Sequence, residues 1–191
     1  MARLIERIGP VKWKPRRLPP FQSLIQAIVY QQLSGKAAGT ILGRFQALFG
    51  DAPFPTPEQI LETELERLLS AGLSRPKANY IKGIGQHAVA GRLPTLKACD
   101  QLTDAEIVER LTEIKGVGRW TAEMFLMFNL GRPDVLPVHD LGIRKGFQMV
   151  YGKRSLPAPK PLERFGRKWA PYRTTAAWYL WRAVDSENAV D

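Results

Sequence analysis

The sequence predicts an all-α protein. Apolar residues recur every three or four positions along most of the 191-residue chain, a spacing that places them on one face of a helix. Thr56 and Thr103 each precede a Gln or Glu by three residues, which is the signature of a helical capping box. No segment shows the alternation of apolar and polar residues that is typical of strands. The length suits one domain or two close lobes.

Four helices are predicted before residue 100. The first begins at Leu24 and ends near Tyr30. Short polar side chains that accept a backbone hydrogen bond mark where the other three begin: Ser34, Thr56 and Ser74. Glycine tolerates the left-handed backbone that often follows a helix, so Gly50 and Gly72 are the expected ends of the second and third.

Two further helices flank Gly116-Val117-Gly118. Apolar residues recur at helical spacing before and after this segment: Ile107, Leu111 and Ile114, then Thr121, Met124, Phe125 and Phe128. Glycine permits sharp turns and close approaches, and the second helix offers free N–H groups at its start, where a phosphate can bind. An ordinary helical packing unit explains the same hairpin, and a Gly-X-Gly segment alone does not separate the two interpretations.

The remaining segments are assigned by the same signals. A helix is predicted from Leu141 to Tyr151, a loop rich in Pro and basic residues over 152–162, and a last helix around Ala177–Val184. Residues 1–20 are interpreted as a basic arm that contains Pro. Residues 21–191 are interpreted as one helical domain.

Basic charge is concentrated in two parts of the chain. The net charge is +10; residues 1–17 hold six basic residues against Glu6, and residues 144–173 hold nine against Glu163. Such clusters suit a polyanion and predict salt-dependent binding. A solvated basic surface explains the charge equally well. An anionic membrane surface would require a long basic amphipathic helix, and we find none without core positions.

Composition also excludes several classes. No apolar run could cross a membrane, and the start MARLIERIG is too charged for a signal peptide. The single Cys99 excludes an internal disulfide and a four-cysteine cluster. Two histidines make a zinc site unexpected. We therefore expect a cytoplasmic protein, and nothing in the sequence indicates an obligate oligomer, so a monomer is expected.

Asp140 is the candidate acid. It directly precedes the helix predicted from Leu141, so an N-cap is the simplest interpretation. The preceding Leu136-Pro137-Val138 is apolar, which indicates a poorly solvated loop. A carboxylate in such a position can stabilise positive charge that develops in a transition state.

Taken in order, several motifs resemble one family. They are Ala27-Ile28-Val29-Tyr30-Gln31-Gln32-Leu33-Ser34 with Ala37-Ala38, Phe54-Pro55-Thr56-Pro57, Gly72-Leu73-Ser74 with Lys77-Ala78, Ile114 through Ala122, Leu136 through Asp140, and Lys168 through Arg173 with Trp181. Across roughly residues 18–183 the chain resembles the helix-hairpin-helix DNA glycosylases, and among them the AlkA-type 3-methyladenine DNA glycosylase II.

The resemblance implies a fold and an active site. It implies a two-lobed helical bundle with a helix-hairpin-helix motif and a cleft between the lobes. Asp140 matches the catalytic aspartate of the family. The residues implied for the base pocket are Trp120, Trp181, Met124 and Tyr30. Relatives that cut the strand carry a lysine where this chain has Trp120, so the resemblance implies base release without a covalent Schiff base.

The resemblance also implies contacts with DNA. The implied residues are Gln31, Gln32, Leu33, Lys115, Gly116, Val117, Gly118, Arg119, Thr121 and Arg144. In the family the hairpin holds a monovalent cation through backbone carbonyls, which here belong to Thr112, Ile114 and Val117. Na⁺ or K⁺ is therefore expected there, with no cofactor for the chemistry and no iron–sulfur cluster.

Together these features predict a monofunctional DNA glycosylase of base excision repair. The expected substrates are double-stranded DNA with 3-methyladenine or 7-methylguanine. Residues 1–20 show no counterpart of the N-terminal β-rich domain of larger members, and Met124 replaces an aromatic residue, so we extend the hypothesis to 1-methyladenine. Two alternatives stay open: a glycosylase for uracil, hypoxanthine or an oxidised purine, and a non-catalytic DNA-binding module.

Overall fold

The structure is a computed structural model that describes residues 1–50 and 52–187. Every regular element in these residues is helical, so the all-α prediction is confirmed. The α-helices are, in chain order, α1 (Ala2–Ile8), α2 (Pro20–Tyr30), α3 (Gly35–Ala47), α4 (Pro57–Glu62), α5 (Leu65–Ser70), α6 (Arg75–Val89), α7 (Leu96–Cys99), α8 (Asp104–Thr112), α9 (Arg119–Met124), α10 (Leu141–Val150), α11 (Pro159–Gly166) and α12 (Arg173–Glu187). A π-helical segment, Phe125–Leu130, follows α9, and a 3₁₀ turn, Arg167–Trp169, follows α11.

The chain forms two compact units. The hairpin unit comprises Arg17–Phe125, and the terminal unit comprises Met1–Arg16 together with the part of the chain that begins at Leu126. Each unit has its own buried apolar residues, and each is described by itself below.

The hairpin unit is organised around α6. This helix packs against α2, α4 and α5. Leu24, Ile25 and Ile28 of α2 are fully buried, as are Ile81 and Ile84 of α6. The predicted caps are confirmed, since the side chains of four residues accept the expected backbone hydrogen bonds: Ser34, Thr56, Ser74 and Thr103.

The helix predicted from Thr56 to Gly72 is wrong as a single element. It is two helices, α4 and α5, separated at Thr63, whose backbone is extended (φ −69°, ψ 130°). The Thr63 hydroxyl donates a 2.6 Å hydrogen bond to the carbonyl of Gln59. Side-chain bonds of this kind compete with the helical ladder, and this one accompanies the break.

The terminal unit is built on the packing of α10 against α12. A Cβ at Gly146 would lie 2.1 Å from the carbonyl oxygen of Leu180, so the two backbones approach as closely as only glycine permits. Around α10, the rings of Phe147, Tyr151, Phe165 and Trp169 pack on one another.

We expect Gly146→Ala to destabilise the protein by about 3 kcal/mol, because the added methyl group meets backbone rather than a movable side chain. Urea denaturation would measure this. Gly43→Ala in α3 is the matched control: nothing lies within 4 Å of its Cβ position, and alanine there is expected to raise stability by up to about 1 kcal/mol. Equal denaturation midpoints for the two variants would contradict the close helix packing.

The segment interpreted as an arm is in part a docked helix. Leu4 of α1 is buried with Tyr179 and Ala183 of α12, and the Tyr179 hydroxyl donates to the carbonyl of Gly9 at 2.8 Å. Residues 1–16 therefore belong to the terminal unit, and Leu4 lies in its core. The apolar Leu4 gave too short a pattern for this to be predicted from the sequence.

The loop predicted over 152–162 is shorter than expected. Helix α11 begins at Pro159. Proline is tolerated in the first turn, because an N–H group there would have no partner within the helix.

Trp178 is half-buried and packs against the core cluster that contains Tyr179, at 5.0 Å between the two ring centroids. In the described residues no helix is both long enough and apolar enough to cross a membrane.

Candidate functional site

The loop that leads to Asp140 is anchored to the start of α12. Arg173 donates two hydrogen bonds to the carboxylate of Asp134, at 2.7 and 2.8 Å. These hydrogen bonds lower the pKa of Asp134 below its usual value. The buried Thr174 accepts from the amide of Val135 and donates to the carbonyl of Arg132. The loop is thus held at its first half, before it reaches Asp140.

Asp140 is the N-cap of α10, and its side chain also accepts a hydrogen bond from another helix. Its Oδ1 accepts the backbone N–H of Ile143 at 2.8 Å, as the N-cap interpretation requires. The same oxygen accepts the indole N–H of Trp181 at 2.9 Å. Asp140 is half-buried, whereas the neighbouring His139 is exposed. The carboxylate is therefore fixed in direction by one backbone donor and one side-chain donor.

Trp181 is held by its surroundings in the terminal unit. The ring of Phe128, from the π-helical segment, lies 5.9 Å from the Trp181 ring at an interplanar angle of 31°. Trp13 packs edge-on against Phe128 at 5.2 Å. A Cβ at Gly142 would lie 2.8 Å from Cδ1 of Trp181. The position of the indole is thus determined by contacts as well as by its bond to Asp140.

The hairpin between α8 and α9 has the predicted geometry. Thr103 and Glu106 form the capping box at the start of α8. Val117 is buried, and its amide donates to the carbonyl of Ile114 at 2.9 Å. Gly116 adopts φ +93°, and a Cβ there would lie 2.4 Å from Cγ of Tyr80. Gly118 is exposed and is the N-cap of α9.

The predicted base-pocket residues of the hairpin unit differ in exposure. Trp120 is 48% exposed in the first turn of α9. Met124, at the end of α9, is half-buried. Tyr30 is exposed at the end of α2. Trp120 is thus a surface aromatic residue beside the hairpin.

The loop between α2 and α3 contacts the hairpin. The side-chain amide of Gln31 donates to the carbonyl of Gly116 at 3.2 Å and lies 3.5 Å from the hydroxyl of Thr121. Gln31 therefore has a role inside the protein, and its predicted contact with DNA stays a prediction. Gln32 and Leu33 are exposed, and Gln32 has a left-handed backbone with φ +56°.

Lys77 makes contacts that the sequence did not predict. Its ammonium donates to the carbonyls of Val29 and Gln31, at 2.9 and 2.7 Å. Burial lowers the pKa of Lys77 below the usual lysine value. Lys77 stood in a motif of the resemblance, but contacts across 46 and 48 positions leave no local signal.

The other residues predicted to contact DNA range from exposed to buried. Lys115 and Arg119 are exposed, and Arg119 pairs with the buried Glu123 at 3.0 Å. Arg144 is half-buried and donates to the carbonyl of Pro157 at 2.8 Å. Thr121 is buried, so a contact with phosphate would have to come from its backbone N–H. The Val117 side chain is buried and its amide donates to the carbonyl of Ile114, so its predicted contact with DNA stays a prediction.

Comparison with known proteins shows the family to which this chain belongs. The model of the HhH-GPD superfamily base excision DNA repair proteins matches residues 25–171. The chain belongs to the HhH-GPD superfamily. The resemblance drawn from the motifs is thereby confirmed, and both Asp140 and the hairpin lie inside the matched residues of the superfamily.

Among superfamily members, the chain is similar to DNA-3-methyladenine glycosylase 1 of Schizosaccharomyces pombe, with 39% identity over 94% of this chain and 80% of the relative. The solved structure of that yeast 3-methyladenine DNA glycosylase (Mag1), in complex with abasic DNA, superposes with a TM-score of 0.83, covering 95% of this chain and 89% of that one. A DNA-3-methyladenine glycosidase structure from Bacillus halodurans is 44% identical, with a TM-score of 0.85 over 95% and 82% of the two chains.

Proposed function

We propose that this chain is a monofunctional DNA glycosylase that hydrolyses the N-glycosidic bond of alkylated bases in double-stranded DNA and leaves an abasic site. The observation that carries the proposal is the Asp140 carboxylate, held by the N–H groups of Ile143 and Trp181, in a chain of the HhH-GPD superfamily. The similarity to 3-methyladenine DNA glycosylases supports the choice of alkylated bases.

The chemistry follows from the charge of the substrate. A base in the duplex must first be unstacked, at a free-energy cost of a few kcal/mol that damage reduces. A purine methylated at N3 or N7 is cationic and leaves as a neutral base, so no strong general acid is required. Its departure leaves positive charge on the sugar, which the Asp140 carboxylate stabilises electrostatically. Water then adds to C1′ and loses a proton, which yields the abasic sugar.

The tryptophans have separate roles in this proposal. A flat electron-rich ring attracts a cationic base by roughly 2 kcal/mol when water is excluded. Trp181 is proposed to supply such a ring and to orient Asp140. Trp120, exposed beside the hairpin, stands where strand-cutting relatives are expected to have a lysine. No amine is therefore proposed for Schiff-base chemistry at this position.

We expect Trp181→Phe to lower the rate of base release about tenfold, because a flat ring remains while one hydrogen bond to the carboxylate is lost. Single-turnover release from methylated DNA would measure this. Trp178→Phe is the matched control, since Trp178 lies on the same helix and packs on Tyr179. Equal rates for the two variants would contradict an orienting role of the indole N–H.

A monovalent cation suits the end of α8. The carbonyls proposed to hold it belong to Thr112, Ile114 and Val117. Thr112 is the last residue of α8, where helical carbonyls lack partners in the next turn. The Ile114 carbonyl accepts one amide and retains a second lone pair. Neutral oxygen donors of this kind fit Na⁺ or K⁺, which would neutralise charge where the hairpin meets a phosphate.

The experiment is an assay of released bases. The protein is incubated with DNA treated with a methylating agent, and with duplexes that contain uracil or hypoxanthine, and the freed bases are identified by mass. We expect 3-methyladenine and 7-methylguanine to be released, with 1-methyladenine as the extension of the hypothesis. The abasic strand should break only after treatment with alkali.

Each of the other outcomes would support a different function for this protein. Release of uracil or hypoxanthine alone would assign the enzyme to another lesion. Binding of DNA without release of any base would assign a non-catalytic module. Strand cleavage without alkali would contradict the monofunctional mechanism. We further propose that the protein is cytoplasmic and acts on DNA as a monomer. Sedimentation with and without a duplex would test the oligomeric state.

A further inference from the structure

The loop between α2 and α3 spans a cavity. The cavity has a volume of about 230 Å³ and is lined by residues that include Ile41, Leu73 and Lys77. Gln32 and Leu33 also line it; Leu33 is 40% exposed, and Gln32 has a left-handed backbone. A non-glycine residue in this conformation needs support from its surroundings.

That support comes from Lys77. Its ammonium bridges the carbonyl of Val29, in the last turn of α2, and the carbonyl of Gln31, the first residue of the loop. Hydrogen bonds from a charged donor are about twice as strong as neutral ones. These two bonds satisfy carbonyls at the end of α2 and fix the backbone direction at the residue before Gln32.

The same residue of the loop is tied to the hairpin. The side chain of Gln31 donates to the carbonyl of Gly116, while its own carbonyl accepts from Lys77. Lys77 therefore orients the residue that connects the loop to the hairpin. Loop and hairpin are thus parts of one hydrogen-bonded network within the hairpin unit.

We propose that Lys77 is a positioning residue that holds Gln32 and Leu33 in the conformation needed to enter damaged DNA. The inference rests on the proposed function, in which a flipped base leaves a gap in the duplex. A side chain from a rigid loop fills such a gap at a smaller entropic cost than one from a mobile loop. Lys77 acts through the loop and does not itself contact the base.

The test compares Lys77→Met with Lys82→Met. Lys82 lies on the same helix, is also half-buried, and also donates to a backbone carbonyl, that of Leu61 at 3.0 Å. Hydrogen exchange of the free protein is followed at the amides of Gln31 and Leu33, which donate to backbone carbonyls. We expect faster exchange at both amides in Lys77→Met and no change in Lys82→Met.

Lys77→Met should weaken binding to damaged DNA more than binding to undamaged DNA. For Lys77→Met we expect base release and affinity for abasic-site DNA to fall about tenfold, the effect of losing charged hydrogen bonds. Affinity for undamaged DNA should change by less than about twofold, because the hairpin contacts remain. Lys77→Arg keeps a charged donor of different shape and is expected to recover part of the lost release.

Three results would overturn the proposal. They are unchanged exchange at Gln31 and Leu33, unchanged release despite faster exchange, and an equal loss of affinity for damaged and undamaged DNA. Failure of the proposed function is seen separately, as absence of base release by the unmodified protein. The exchange measurement needs no DNA, so it would still decide whether Lys77 holds the loop.

Discussion

Asp140→Asn is expected to lower base release by about 100- to 1,000-fold, the loss that follows removal of one preorganised electrostatic group. Asparagine keeps the Oδ1 acceptor and is as good an N-cap as aspartate. The bonds from Ile143 and Trp181 can therefore persist. The substitution removes the negative charge and leaves the local geometry, so affinity for abasic-site DNA should be preserved.

The control for this prediction is Asp185→Asn. Asp185 is an exposed aspartate of α12 that pairs with Arg182, so its removal changes the net charge of the protein by the same amount. We expect release by this variant to match that of the unmodified protein. If Asp140→Asn released base at the normal rate, Asp140 would be a helix cap alone. Equal loss of release and of DNA binding would indicate a folding defect instead.

Gly116→Ala is expected to be the most disruptive change in the hairpin. Its φ of +93° disfavours any side chain, and the new methyl group would lie 2.4 Å from Cγ of Tyr80, at the base of the ring where it cannot swing away. The two effects together are expected to lower the free energy of unfolding by about 3 kcal/mol. DNA affinity should fall about tenfold or more as the hairpin deforms. Urea denaturation and titration with duplex DNA would measure the two changes.

Gly118→Ala is the matched comparison on the same turn. Nothing lies within 4 Å of its Cβ position, and Gly118 has an ordinary φ of −85°. Its effect on stability should not exceed about 1 kcal/mol, the difference between glycine and alanine at an N-cap. A selective loss of DNA affinity in this variant would support close approach of a phosphate to the Gly118 amide. Equal stability losses at positions 116 and 118 would contradict the special role of Gly116.

Features that depend on neighbouring residues were predicted well. Capping boxes occupy four consecutive positions, and the boxes at Thr56 and Thr103 are both present. The N-cap interpretation of Asp140 is confirmed for the same reason. The π-helical continuation after α9 was not predicted, because its apolar residues follow a spacing close to that of an ordinary helix.

Features that depend on distant residues could not be predicted from spacing. The bond between Asp140 and Trp181 joins positions 41 residues apart, and the Lys77 bonds join α6 to the end of α2. The resemblance pointed to Asp140 and Trp181 as site residues, but not to the hydrogen bond between them. The Arg173–Asp134 pair, which anchors the loop before Asp140, was missed because two oppositely charged residues on a basic chain carry no distinctive pattern.

The most direct test of the account is a single-turnover assay in which excess protein acts on methylated DNA and the freed base is identified by mass. The unmodified protein is expected to release 3-methyladenine in amounts equal to the abasic sites formed, with no strand break before alkali. Asp140→Asn should release almost none while binding the abasic product as tightly. Tight binding of methylated DNA by the unmodified protein, with no free base, would contradict the account.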